Sequence, residues 1–338
     1  MSRISFGMWA AMALVLVPWA GAQSYTVTDL GLLPGSTHCV PQKINNGGAV
    51  VGSCIVAKAD QAFLWTPTNG MQALGTLPGD TGSVAYGINN LNEVVGESIS
   101  ASGTPRAFSW SAATGMRRLP PAGPSVSVAE GINDSGEIVG VYYPVNLLSP
   151  RAALWPKSGG MVDLGTLGGS VATAEAINNA GEIVGDSTTS NVPLATVAAF
   201  LWTQDGGMQN LGTLGGDNAE AYAINNSGEV FGGSNISPDE AYYAFVWTQR
   251  NGMQSLGAGY GSTILAANDS DQLVGSFLGN GSPLLWTPAH HTQNLNHLIP
   301  TGSGWTLNSA GGINQMGQIV ASGGINGETH AALLTPVN

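Results

Sequence analysis

Apolar and polar positions along this chain follow one pattern at a fixed interval. A β-branched residue precedes Asn-Asn-Xaa-Gly-Glu or a close variant, and a second β-branched pair ending in Gly follows, as in Ile177-Asn178-Asn179-Ala180-Gly181-Glu182-Ile183-Val184-Gly185. After a variable stretch comes Ala-Phe-Leu-Trp-Thr, then a polar turn and Met-Gln-Asn-Leu-Gly-Thr-Leu-Gly-Gly. The Asn anchors fall at Asn45, Asn89, Asn133, Asn178, Asn225, Asn268 and Asn314. The Trp falls at Trp65, Trp110, Trp155, Trp202, Trp247 and Trp286, with Leu334 in the seventh place. The period is about 45 residues, which marks a repeat architecture.

Each copy predicts four short strands. Asn and Gly accept the left-handed backbone that tight hairpin loops demand, so the Asn-rich segment reads as the turn between strands A and B. Strand A then ends at Ile44, Ile88, Ile132, Ile177, Ile224, Ala267 and Ile313, and strand B closes on Gly52, Gly96, Gly140, Gly185, Gly232, Gly275 or Ala321. Ala-Phe-Leu-Trp is strand C and Met-Gln-Xaa-Leu-Gly is strand D. The ends of the repeat region are complementary: a lone strand D, Tyr25–Gly31, opens it and a lone strand C, Thr329–Leu334, finishes it. Pairing them completes a blade and hides a sheet edge. We therefore expect an all-β fold, a seven-bladed β-propeller of four-stranded blades whose last blade is closed by the N-terminal strand. A right-handed β-solenoid of seven coils is the alternative, and it needs no complementary ends.

Residues 1–22 read as a signal peptide, with Arg3 in a short n-region, an apolar run from Met8 to Trp19 and a small-residue cleavage site at Ala20-Gly21-Ala22. A membrane anchor is the competing reading, but the run is shorter than the roughly 20 residues a span needs. Residues 23–338 are then a single seven-repeat propeller domain, secreted to the periplasm or the medium and expected to be a monomer without a membrane span. Losing Arg3 takes the net charge from −12 to about −13, a balance that argues against nucleic acid and anionic membranes, which need clustered Lys and Arg. The two cysteines, Cys39 and Cys54, lie symmetrically about the first Ile44–Ala49 turn, directly opposite on strands A and B. In an exported protein this placement predicts a disulfide, with two free thiols as the alternative; two Cys with no neighbouring Cys or His ligand set do not make a metal or redox site.

The combined motifs resemble the HAF family of bacterial extracellular repeats, whose copies read His-Ala-Phe-Leu-Trp, Leu-Gly-Thr-Leu-Gly-Gly and Ile-Asn-Asp-Xaa-Gly-Xaa-Val-Val-Gly. The resemblance covers residues 25 to the end, and it implies an exported repeat protein of undetermined activity. The eponymous His position holds Gln61, Arg106, Arg151, Ala198, Tyr243 and Ser282, with His only at His330. That spread speaks against a catalytic role for it.

Comparison of the internal copies locates candidate chemistry. The A–B and C–D turns hardly change, whereas the B–C and D–A connections vary, and in a propeller those two emerge on one face around the channel mouth. From them come the candidate ligand-binding residues His38, Asp80, Tyr142, Tyr143, Asp217, Glu220, Tyr260 and Trp305, with Tyr242 beside them. Two positions before the last residue of strand A stand Gln42, Tyr86, Glu130, Glu175 and Tyr222, a polar and aromatic ring near the axis. The bland reading of all these is blade packing and a water-lined channel. Glu93, Glu137, Glu182 and Glu229 of the hairpins give way to Gln272 and Gln318 and read as solvated turn positions rather than glycosidase carboxylates. The strand-C Trp residues suggest a stacking ladder for sugars, but core packing is the expectation. The sequons at Asn133, Asn225 and Asn268 are explained by turn chemistry.

His290, His291 and His297 do not match zinc spacing. Acidic crossovers could take calcium, but no copy shows the alternating Asp ladder, and no cofactor is expected. A nucleophile elbow, a phosphate loop and a dinucleotide fingerprint are all missing. The expected function is a secreted binding module for carbohydrate, a cell-envelope polymer or an extracellular protein. A propeller-type polysaccharide lyase or hydrolase is the alternative, with its site assembled from Tyr, His and acidic groups across blades.

Overall fold

A computed structural model describes residues 23–120, 126–144, 149–190, 196–237, 241–277 and 281–337. The leader expected at 1–22 lies outside them. Seven antiparallel four-stranded blades surround one axis, blades 7 and 1 being joined into one sheet by a single bridge, and the innermost strand of each, strand A, is Ser36–Ile44, Asp80–Ile88, Ser127–Ile132, Ala172–Ile177, Ala219–Ile224, Ser262–Ala267 or Thr306–Ile313. The strand-A ends are those the Asn anchors predict. Blade 7 has strands Thr306–Ile313, Ile319–Ile325 and Glu328–Val337, and its outer strand is the N-terminal Ser24–Asp29, paired antiparallel with Val27 opposite Leu334. The fold is thus a seven-bladed β-propeller closed by its first strand, and the solenoid alternative is excluded.

Apolar clusters sit between successive blades rather than in one central core. Leu64 and Leu74 of blade 1, for example, pack with Ala85, Val94 and Phe108 of blade 2. The Phe of each Ala-Phe is the deepest residue: Phe63, Phe108, Phe200 and Phe245 are fully buried. Of the Trp ladder, Trp155 and Trp247 are buried as the core reading expects, but Trp65, Trp110, Trp202 and Trp286 keep partial exposure.

The A–B turns work differently from the sequence reading. Only their fourth residue has a positive φ, at Gly48, Asn92, Gly136, Gly181, Gly228, Asp271 and Gly317. The anchor Asn is instead a buried hydrogen-bonding hub, because its Oδ1 accepts the backbone N–H four residues on, at 2.9–3.0 Å in all seven blades. Its Nδ2 donates to the anchor carbonyl of the next blade at 3.0–3.2 Å from blades 1, 2, 3, 4, 6 and 7. A second belt lies outside it: the backbone N–H of each following residue donates to the next blade's side-chain oxygen. That belt runs Asn46, Asn90, Asp134, Asn179, Asn226, Asp269, Gln315 and back to Asn46, at 2.8–3.1 Å. These belts join every blade to its neighbours without covalent links. Burial of Asn133, Asn225 and Asn268 also accounts for the three sequons, since none presents its amide to solvent.

The hairpin Glu residues are part of the same device, which corrects their reading as solvated positions. Glu93, Glu137, Glu182 and Glu229 each accept the anchor Nδ2 at 2.6–2.8 Å, and Gln272 and Gln318 do so at 2.8 and 2.9 Å. Blade 1 has Ala49 instead, and there Asn92 of blade 2 reaches across to accept from Asn45 Nδ2 at 2.7 Å. Asn92 stands where most copies have Gly, so one departure from the repeat compensates the other.

Cys39 and Cys54 form a disulfide between directly opposed positions of strands A and B, as their symmetric placement predicts. Both are fully buried between blades 7 and 1, beside the ring closure. Their separation of 15 residues leads us to expect that Cys39→Ala with Cys54→Ala lowers stability by about 3 kcal/mol through loop entropy of the unfolded chain. Urea unfolding with and without reductant measures this; an unchanged midpoint would show the bridge to be dispensable.

Candidate functional site

Every strand A carries a β-bulge at the same place, three residues before its anchor Asn, and those of blades 1, 2 and 7 have a second register shift nearer their start. A bulge turns one side chain out of alternation. Here the bulged residues are Gln42, Tyr86, Glu130, Glu175, Tyr222, Leu265 and Gly311, and they point to the axis because strand A is innermost. The glycines that close strand B permit the bulge: a methyl at Gly96, Gly140 or Gly185 would overlap a strand-A carbonyl.

Six blades follow the bulge with a small residue, Gly87, Gly131, Ala176, Ala223, Ala266 or Gly312. Blade 1 has Lys43. Its ammonium is buried in the channel and donates to the bulge carbonyls of the two preceding blades in the ring, Leu265 O of blade 6 at 3.1 Å and Gly311 O of blade 7 at 3.4 Å. Lys43 and Tyr222 line two cavities along the axis. One, about 220 Å³, opens among the Asn belts at the hairpin-turn face. The other, about 160 Å³, is lined by Gln42, Tyr86, Glu130, Glu175, Leu265 and Gly311 as well. Lys43 therefore stands as a bolt across the channel, dividing the turn side from the loop side.

The electrostatics of the loop side are dominated by burial of acids. Desolvation, then the neighbouring Glu175 and Glu97, push Glu130 up to about 8, while Lys43 opposes the shift. Glu175 is raised to about 7 by burial and then by Asp186. Burial holds Lys43 below its usual value, and Glu175 and Glu130 partly restore it. Nearer the loop mouth, Tyr86 Oη donates to Glu97 Oε1 at 3.0 Å and Thr173 Oγ1 donates to Asp186 Oδ1 at 2.5 Å. Glu220 accepts from Tyr222 at close range and from Tyr242 at 3.4 Å. Burial raises all three phenols, and the adjoining carboxylates raise them further, so Tyr242 is pushed up to about 12.

Of the residues nominated from sequence, the structure brings Asp217 and Glu220 together with Tyr222 and Tyr242 at blade 5. Asp217 Oδ1 accepts from Asn218 and from Asn235, which holds it in place, and its charge is felt at Tyr242. Tyr260 is exposed and meets Tyr243 edge-on, with ring centroids 5.8 Å apart. The others are dispersed. His38 bridges to Thr329 at the boundary of blades 1 and 7. Asp80 is buried and paired with Arg106 at 2.6 Å. Tyr142 is buried in the cluster between blades 2 and 3 with its hydroxyl on Asp163, and Tyr143 donates its backbone N–H to Val126 O. Trp305 packs on the blade 6/7 cluster, edge-on to His330 at 6.3 Å.

The position that names the HAF motif has a structural job in three blades. Arg106 pairs with Asp80, Arg151 with Asp163 at 3.1 Å, and His330 with Asp29 at 2.8 Å, each joining strands within one blade. Sequence reasoning missed Lys43, Glu97 and Asp186. The signal for Lys43 was present, since it alone is long where six copies are Gly or Ala; Glu97 and Asp186 carry no such mark, because their strand-B position varies freely.

No family model matches the chain, and no curated protein is similar to it in sequence. Solved structures share its fold. The β-propeller domain of the Trilobed protease from Pyrococcus furiosus, described as having an open velcro topology, aligns with TM-score 0.59 at 8% identity over 92% of this chain and 95% of its own. Virginiamycin B lyase from Staphylococcus aureus aligns with TM-score 0.57 at 11% identity, covering 93% of this chain and 100% of its own. An oligogalacturonate lyase in complex with manganese gives TM-score 0.57 at 11% identity over 92% and 93%. At such identities the likeness is one of fold. Among the described residues no helix is long and apolar enough to cross a membrane, and the disulfide suits an oxidising compartment.

Proposed function

We propose that this chain is a HAF-type exported repeat protein that acts as a binding module, taking an uncharged or amine-bearing carbohydrate or cell-envelope polymer at the loop-side mouth of its channel. The observation that carries the reading is the group at blade 5, where Asp217 and Glu220 stand with Tyr222 and Tyr242. Carboxylates are strong acceptors for hydroxyl and ammonium groups, and phenol rings offer a flat apolar face with a polar tip. The sign of the charge narrows the ligand. Glu97, Asp186, Asp217 and Glu220 are set against one channel cation, Lys43, a balance that repels polyuronates.

One observation favours a second reading, a hydrolase. Glu130 and Glu175 line one chamber and titrate near neutrality, which is what a general acid requires. A glycan array with product analysis on residues 23–338 separates the two. Binding of neutral or amino glycans without products, weakened by Glu220→Gln and Tyr242→Phe at unchanged melting temperature, supports the module. Product release abolished by Glu130→Gln supports the hydrolase. Binding confined to polyanions, or none at all, sinks both.

A further inference from the structure

The strand-C tryptophans are not absorbed by the channel, and one of them opens a groove on the opposite face. Between blades 3 and 4, on the side of the hairpin turns, lies a cavity of about 370 Å³ whose lining includes Glu137, Pro156, Val162, Glu182, Trp202 and Gln204. The corresponding groove between blades 2 and 3, about 290 Å³, has Lys157 and Arg117 where this one has Gln204 and Val162. There the indole of Trp155 is 2% exposed and donates its Nε1–H to Pro120 O at 3.0 Å. Trp202 is half-buried, and its Nε1–H meets no acceptor among the described residues. Glu137 and Glu182 are each fixed through Oε2 to the anchor Asn of their own turn, at 2.7 and 2.6 Å, which leaves Oε1 without a donor among the described residues.

We infer that this groove is a saccharide subsite that takes one pyranose ring of a neutral glycan. Its walls have the two characters that a sugar ring presents. The indole face with Pro156 and Val162 matches the C–H face of a pyranose, and two oriented carboxylate oxygens, the indole N–H and the Gln204 amide match its equatorial hydroxyls. The cavity is at the small end of ligand pockets, suited to one ring rather than an extended chain. The carboxylates are held before any ligand arrives, so binding costs little ordering. Both Glu side chains are anchored within their own turns although the groove lies between blades. It is a different site from the loop-side mouth and does not depend on that reading.

The chain itself supplies the variants for the test. Blade 7 has Leu334 in the Trp position, and blades 6 and 7 have Gln272 and Gln318 in the Glu position with the Asn bond intact. Trp202→Leu, Glu137→Gln and Glu182→Gln therefore follow substitutions the fold already accommodates. Calorimetry and saturation-transfer NMR with methyl glucoside, methyl galactoside, methyl mannoside and N-acetylglucosamine, each at up to about 100 mM, read the binding. We expect saturation of the ring protons by wild type, loss of affinity by about ten-fold or more in Trp202→Leu, and a smaller loss in each Gln variant. Arg117→Gln, in the neighbouring groove between blades 2 and 3, should leave this binding unchanged. The inference is overturned if none of these sugars binds, if Trp202→Leu binds as wild type does, or if Arg117→Gln removes the binding. Should Trp202→Leu melt early, the two Gln variants decide, and wild-type affinity in both counts against the site.

Discussion

Deleting residues 24–29 should abolish cooperative unfolding. That segment is the outer strand of blade 7, paired along its whole length with Glu328–Val337. Tyr25 is 1% exposed and packs with Val27 against Leu307, Leu334 and their neighbours. Its N–H also donates to Leu298 O at 2.8 Å. Burial of one large side chain stabilises by about 1.5–3 kcal/mol and each ladder hydrogen bond by about 1 kcal/mol net, so the strand contributes an amount close to the 5–15 kcal/mol of a whole domain. The deletion also strips the strand Glu328–Val337 of its outer partner and invites edge-to-edge pairing. Thermal unfolding followed by circular dichroism, with light scattering for association, checks this. A truncated chain that melts as the intact one does would show that closure by the first strand is dispensable here, as an open propeller would allow.

Lys43→Met should destabilise by about 1–3 kcal/mol at neutral pH, because the buried acceptors it satisfies keep their desolvation cost without a donor. The bulge carbonyls of Leu265 and Gly311 lose their donor, and Glu130 and Glu175 lose the cation that lowers both. A linked pH dependence should appear in the wild type. Glu130 rises from 4.5 to about 8 on folding, so its contribution is fully present below about 4.5 and is lost as pH climbs through about 8. Between pH 5 and pH 9 this loss is about 2–4 kcal/mol, and Glu130→Gln should remove it, making the variant more stable than wild type under alkaline conditions. Lys43→Met should steepen the alkaline loss, and Glu130→Gln in the same chain should recover part of it, a coupling that a double-mutant cycle in urea reads directly. If Lys43→Met and wild type share one midpoint at pH 7 and at pH 9, the ammonium is not the counter-charge of the chamber.

The sequence by itself determined the architecture, because a propeller is made of units whose contacts are mostly local. Period, strand order and turn residues each leave a mark that recurs seven times, and the complementary fragments at Tyr25 and Leu334 dictated how the ring closes. The facing cysteines were legible for the same reason: hairpin register follows from the turn. Near the axis legibility fell away. Gln42, Tyr86, Glu130, Glu175 and Tyr222 were recognisable as an axial ring, yet the bulge that turns them inward is a conformational event with no residue type of its own. Of the candidates on the loops, Asp217 and Glu220 meet at one mouth while His38, Asp80, Tyr142 and Trp305 separate, since loop residues are placed by blades distant in sequence.

What only the tertiary structure decided is which groups share a space. The belts of Asn45 and Asn46 join blades about 45 residues apart in the chain, so a motif that reads as turn chemistry proves to be a ring of cross-blade hydrogen bonds. Glu130 and Lys43 lie in different copies, and neither is unusual alone; their titration is set by desolvation and mutual charge, which exist only once seven inner strands exclude water from the axis. Trp202 and Trp155 occupy equivalent positions in the repeat, yet one indole is sealed and bonded while the other lines an open groove. That difference depends on what the adjacent blade presents, since the Pro120 carbonyl of blade 2 accepts from Trp155 and no described group accepts from Trp202, a comparison that becomes meaningful only after the blades are side by side.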